Sequence, residues 1–120
     1  SPFLAHRNHL HPAVHRVQDA IGQTPTHAWN LDAMAAVAHT SPRHLARLFA
    51  EHAQIAPLAY LRQIRLAVAQ SALSSGRSVT QAADMAGFGS DTQLRRAWKQ
   101  FQLPGTPSHH LATHTALSTS

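Results

Sequence analysis

An all-α fold of about seven helices, arranged as two helix-turn-helix lobes joined by a long central helix, is what this sequence predicts. Three observations predict it. Helix-capping residues recur at short intervals, no run alternates apolar and polar residues between hairpin turns, and one segment occurs twice. The first copy runs from Leu31 to Phe49 and the second from Val79 to Trp98. Leu31 and Ala35 match Val79 and Ala83 at an offset of 48, whereas Ser41, Leu45, Arg47 and Phe49 match Ser90, Leu94, Arg96 and Trp98 at an offset of 49. The second copy therefore gains one residue, at its turn Gly87–Phe88–Gly89. Each copy reads as a short helix, a tight turn and a second helix that carries an arginine.

The elements follow in order from their caps. His11–Pro12 opens a first helix with Pro at its first position and Val14, Val17 and Ile21 on one face; Gly22–Gln23–Thr24–Pro25 ends it. Asn30 caps the next helix, with Asp32 in the first turn where the helix dipole favours it. Ser41–Pro42 opens a third helix that reaches about Ala53. Ala56–Pro57 opens the longest, to about Ser74, with an apolar stripe of Leu58, Leu61, Ile64, Val68 and Ala72 widened by Tyr60, Leu66 and Leu73. At 1.5 Å per residue it is about 27 Å long, so it is expected to hold two recognition helices near the roughly 34 Å that separates successive major-groove faces. Ser78-x-x-Gln81 and Ser90-x-x-Gln93 are both capping boxes that open the helices of the second copy. A closing helix starts at Thr106–Pro107 and frays past Leu111. The expected organisation is a linker and first helix (1–30), a first helix-turn-helix (31–56), a connecting helix (57–74), a second helix-turn-helix with the closing helix (75–112) and a disordered tail (113–120).

Composition narrows the function. The chain has 120 residues, ten Lys and Arg against five Asp and Glu, and a formal charge of +5 with His neutral. Every one of those cations except Lys99 is an arginine, whose planar fork suits phosphates and guanine edges alike. The chain has no cysteine. That removes disulfides, thiol nucleophiles and cysteine-type zinc fingers, and it is compatible with a cytoplasmic setting. No apolar run approaches the roughly 20 residues that span a bilayer, so no membrane partner is expected. His11 and His15, and His110 and His114, share the i, i+4 spacing of helical metal ligands. With eleven histidines such pairs arise by chance, so no metal and no cofactor is expected. No Ser/His/Asp spacing, phosphate loop or paired carboxylate stands out, so no catalytic residue is assigned and the chain is read as a non-enzyme.

The functional residues come from the exposed faces of the two arginine-bearing helices. In the first, Leu45, Leu48 and Phe49 take the core side and leave Arg43, Ala46 and Arg47 on another face. In the second, Leu94, Ala97, Trp98 and Phe101 face inward, and Asp91, Thr92, Gln93, Arg95 and Arg96 point out. Asp91 would repel phosphate and is expected at the helix cap or facing a cytosine amino group. Arg65 falls within the apolar central helix, where a salt bridge inside the protein is expected rather than a nucleic-acid contact. Gly87 is read as a left-handed turn residue, and Phe88 as its plug.

Ala35, the run Ser41–Phe49, Pro57-x-x-Tyr60–Leu61, Arg65–Leu66, Ala83, Gly87–Phe88, Ser90, Leu94, Arg96, Trp98 and Gly105–Thr106–Pro107–Ser108 together resemble the DNA-binding domain of the AraC/XylS family of bacterial transcription regulators. The resemblance covers roughly Leu31 to Leu111. His110 departs from it by standing where Tyr60 stands in the first copy, and Ala82 is smaller than the branched residue usual there. The resemblance implies base contacts at Arg43, Ala46, Arg47, Thr92, Gln93, Arg95 and Arg96. Arg47 and Arg96 are expected to be the main readers, bidentate to guanine, with Gln93 suited to adenine. His44, Arg62, Arg77 and Lys99 are the expected phosphate contacts. The expected partners are double-stranded promoter DNA and RNA polymerase, with an effector-sensing or dimerisation domain that precedes this stretch in a longer protein. The competing reading is a helical protein-interaction module for an acidic partner.

Overall fold

The computed structural model describes residues 11–108. Six α-helices lie among them: α1 Pro12–Gln23, α2 Leu31–Ala38, α3 Pro42–His52, α4 Pro57–Ser74, α5 Val79–Ala86 and α6 Asp91–Gln100. No described residue is in a strand. Pro107 and Ser108 are helical, as Thr106–Pro107 predicts. The rest of the closing helix, the His110–His114 pair and the tail lie outside the described residues.

Caps set the helix starts. The His11 ring accepts from Ala13 N–H, and Asn30 Oδ1 accepts from Ala33 N–H at 2.7 Å. Ser41 Oγ accepts from His44 N–H at 3.1 Å, with Pro42 at the first helical position. Ser78 and Gln81 form the full reciprocal box. The Ser90 box is displaced. Ser90 Oγ accepts from Gln93 N–H, but Gln93 Oε1 accepts from Gly89 N–H at 3.0 Å rather than from the cap's own N–H. The extra residue of this turn presents Gly89 to the carboxamide, and a side chain at Gly89 would stand 3.2 Å from Gln93 Nε2. The end of α1 also differs slightly from expectation. Gly22 and Gln23 stay helical, and Thr24 caps the helix through its N–H to Ala20 O before Pro25 stops it.

The chain forms two compact units. Among the described residues, one comprises 11–24 and Ala28–Leu61; the other comprises Pro25–His27 and 62–108. In the first, α1 packs on α2 and α3. Its core holds Val14, Val17 and Ile21 from α1, Met34, Ala35 and Ala38 from α2, and Leu45, Leu48 and Phe49 from α3. The Phe49 and Tyr60 rings meet at 5.9 Å in a tilted pair, a geometry that aromatic quadrupoles favour. The second unit's core is Leu66, Ala69, Ala72, Leu73, Ala82, Ala83, Ala86, Phe88, Leu94, Ala97 and Trp98. The stripe predicted for α4 needs one correction. Leu58 is 38% exposed, and the buried positions are Pro57, Leu61, Leu66, Ala69, Ala72 and Leu73. A nearly all-round apolar helix does not reveal its inward face by composition alone.

Both helix-turn-helix copies end their first helix in the same way. His39 (φ 57°) and Gly87 (φ 89°) cap α2 and α5 in the left-handed region. Thr40 N–H returns to Ala35 O at 3.1 Å, and Phe88 N–H to Ala83 O at 2.9 Å. These are matching Schellman closures. The first copy tolerates a side chain there and the second does not. A Cβ on Gly87 would stand 3.0 Å from Arg65 Nε, 3.0 Å from Thr26 Cα and 3.1 Å from Pro25 O. Gly87→Ala is therefore expected to destabilise the chain by about 1–3 kcal/mol, through left-handed strain and backbone crowding together. His39→Gly should change stability by less than about 1 kcal/mol, because it trades relieved strain against chain entropy. Thermal melts of the two variants check the contrast, and equal losses at both positions would refute it.

Candidate nucleic-acid interface

The exposed face of α3 is a product of its packing. Leu45, Leu48 and Phe49 are buried, so the remaining helical positions present Arg43 and Arg47 to solvent, with His44 and Ala46 half-buried. Ser41, Arg43, His44 and Arg47 line an open recess of about 280 Å³ at the start of the helix. The helix dipole adds positive potential there. Within the recess, Arg47 Nη2 donates to His44 Nδ1 at 2.8 Å.

The second helix-turn-helix repeats the pattern in its own unit. Leu94, Ala97 and Trp98 of α6 are buried, and Thr92, Gln93, Arg95, Arg96 and Lys99 are exposed. Thr92, Arg95, Arg96 and Lys99 fall at i, i+3, i+4 and i+7 and so share one side of the helix. Among the described residues no carboxylate pairs with Arg43, Arg47, Arg95 or Arg96. Their charge is unspent. Arg77 is exposed in the turn before α5, and Arg62 is half-buried on α4.

Three side chains have roles that spacing alone does not reveal. Asp91 stands in the first turn of α6, next to the Ser90 cap, and its Oδ2 accepts from Thr80 Oγ1 at 3.0 Å, tying α5 to α6. Gln93 is folded back onto Gly89 and must release that bond to meet an adenine edge with both ends of its amide. Arg65 makes an intramolecular contact, but it is not the predicted salt bridge. Its Nε donates to Pro25 O at 2.8 Å and its Nη2 to His27 O at 2.7 Å. Burial lowers its pKa from the ordinary arginine value. A guanidinium satisfies two backbone carbonyls in one plane, and so it pins the Pro25–His27 segment beneath the Gly87 turn. A lone arginine in an apolar helix signals that some acceptor is needed, but not that the acceptor is backbone.

No group of three or more metal-ligating side chains occurs among the described residues, and no helix there is long and apolar enough to cross a membrane.

Two helix-turn-helix units, each with a solvated, arginine-bearing second helix on a buried core, define a sequence-specific DNA-binding domain of a transcription regulator. A helix-turn-helix domain family matches residues 34–108. The chain is 31% identical over 90 residues to the RCS-specific HTH-type transcriptional activator RclR of Escherichia coli, covering 74% of this chain and 32% of that protein. It is 36% identical over 99 residues to the HTH-type transcriptional regulator GlxA of Rhizobium meliloti, covering 80% of this chain and 31% of that protein. The chain thus spans about a third of the length of these relatives. Among solved structures, the DNA-binding domain of AdpA, a global transcriptional factor seen in complex with a target DNA, matches with a TM-score of 0.79 at 28% identity, over 87% of this chain and 94% of that one. The chain belongs to this helix-turn-helix family, that of the DNA-binding domains of AraC/XylS transcription regulators.

Proposed function

We propose that this domain reads promoter DNA as a two-part site, one part per helix-turn-helix. The observation that carries the reading is the same-register recurrence of Arg47 and Arg96, each exposed two residues before a buried aromatic and each without a carboxylate partner among the described residues. Affinity comes mainly from arginines that neutralise phosphates and release counterions. Arg43, Ala46 and Arg47 on α3, and Thr92, Gln93, Arg95 and Arg96 on α6, supply the base contacts, with guanine the preferred partner of Arg47 and Arg96. Arg62, Arg77 and Lys99 grip phosphates as cations, and His44 reaches one only as a neutral donor, through its Nε2–H. Such a partner sets the domain among the cytoplasmic nucleic acids of a bacterium. RNA polymerase is a second contact.

Selection of bound duplexes from a random pool tests the reading. The expected outcome is a motif of two parts about ten base pairs apart, with G·C pairs in both. Recovery of one part only, or of no motif with binding that scales with charge alone, would replace it with single-site or nonspecific binding. Binding to an acidic polypeptide in preference to duplex DNA would favour the protein-interaction alternative.

A further inference from the structure

We propose that His44 is a positioning residue for Arg47, and that the two helix-turn-helix units therefore read DNA with unequal stringency. The inference rests on Arg47 being a base reader. Its basis is the 2.8 Å bond from Arg47 Nη2 to His44 Nδ1. A guanidinium has no acceptor, so the imidazole must accept, and its Nδ1 carries no proton. The neutral ring then holds its one proton on Nε2. Arg43, Arg47 and Ser41 are the other groups lining the recess, and a neutral ring between two arginines adds no repulsion to them. His44 and Arg47 are three residues apart on α3, a spacing that brings helical side chains together. The bond holds the arginine fork in one conformation before DNA arrives, so less rotamer entropy is lost when it docks on a base.

The second unit lacks this device. The position matching His44 is Gln93, whose Oε1 is spent on Gly89 N–H. No acceptor among the described residues holds Arg96. Arg96 must therefore be ordered at the moment of binding. Discrimination is expected to be sharper at the base pair read by Arg47 than at the one read by Arg96.

The test uses the duplex recovered by random-pool selection and its single-base-pair variants, with His44→Phe, His44→Gln, Arg47→Ala and the parent chain. Phe keeps the ring and loses the acceptor; Gln keeps an acceptor. His44→Phe should reduce discrimination about 3- to 10-fold at the base pair that Arg47→Ala identifies, and leave the Arg96 pair unchanged. His44→Gln should restore most of it. The slope of log affinity against log salt should stay the same, because the ring that is lost was neutral. If instead His44→Phe lowers that slope by about 1 and leaves discrimination intact, His44 is a cationic phosphate contact and the proposal is overturned. No change in either quantity overturns it too. Ring ¹⁵N shifts of the DNA-free protein separate this failure from failure of the base-reader assignment. The His44 ring should show Nδ1 unprotonated in the parent and a mixed population in Arg47→Ala. An unchanged ring spectrum would show that the bond does not form. A changed spectrum alongside full discrimination in Arg47→Ala would sink the base-reader assignment, and the positioning role of His44 would fall with it.

Discussion

Trp98→Ala is expected to lower the stability of the domain by about 3–5 kcal/mol. Trp98 is 2% exposed in a cluster dominated by alanine: Ala69, Ala72, Ala82, Ala83, Ala86 and Ala97 surround the few larger side chains Leu66, Leu73, Phe88 and Leu94. The indole therefore supplies much of that unit's volume. Neighbours that end at Cβ have no reach with which to fill the void, so the cavity stays open and the cost falls at the high end of its range. Its Nε1–H also donates to Pro104 O at 3.3 Å, which holds the loop after α6. Against a typical total of about 5–15 kcal/mol, the loss is large. Guanidinium unfolding followed by circular dichroism measures it. Trp29 remains as the variant's sole tryptophan and gives an independent fluorescence signal. A loss below about 1 kcal/mol would mean that the unit is not built around the indole.

The duplication carried most of the fold. Polar side chains before apolar periodicity mark helix starts because they satisfy N–H groups that have no partner within the helix, and Asn30, Ser41, Ser78 and Ser90 all do so. Pro57 and Ser74 bound α4 as its sequence predicts. Two features of the fold were illegible. The inward face of α4 depends on what packs against it, so Leu58 could not be told from Leu66. The displacement of the Ser90 box depends on the path of one inserted residue, and a spacing rule cannot see that path.

The candidate site divides along the same line. Which residues of α3 and α6 face outward follows from helical period and a buried aromatic, so Arg43, Arg47, Arg95 and Arg96 are exposed where the pattern puts them. What the exposed side chains bind within the protein is a matter of three-dimensional proximity. The His44–Arg47 spacing is visible in the sequence as i, i+3, yet the same spacing usually means nothing. The Arg65 clamp joins residues 40 and 38 positions apart, and no local pattern announces it.

Arg47→Ala and Arg96→Ala are each expected to cost about 1–3 kcal/mol of discrimination against the wrong base, at different parts of the site. The two arginines lie in separate units and share no partner, so the double variant should lose roughly the sum, about 2–6 kcal/mol. Both side chains are exposed and, among the described residues, unpaired with carboxylates, and their removal should leave the melting temperature nearly unchanged. That separates loss of reading from loss of folding. Charge and reading separate in turn through Arg47→Lys and Arg96→Lys, which keep the cation and lose the planar fork. Those variants should retain much of the total affinity and its salt dependence while losing part of the base preference, because an ammonium can reach guanine O6 and N7 but lacks the rigid planar fork that fixes the contact geometry. Lys99→Ala should do the reverse, weakening all duplexes alike and lowering the salt slope by about 1. Competition binding against single-base-pair variants, repeated at several salt concentrations, resolves all three behaviours. Alanine variants that discriminate like the parent would move the reading surface off these two helix faces, and lysine variants that discriminate like the parent would show that the planar fork is not what reads the base.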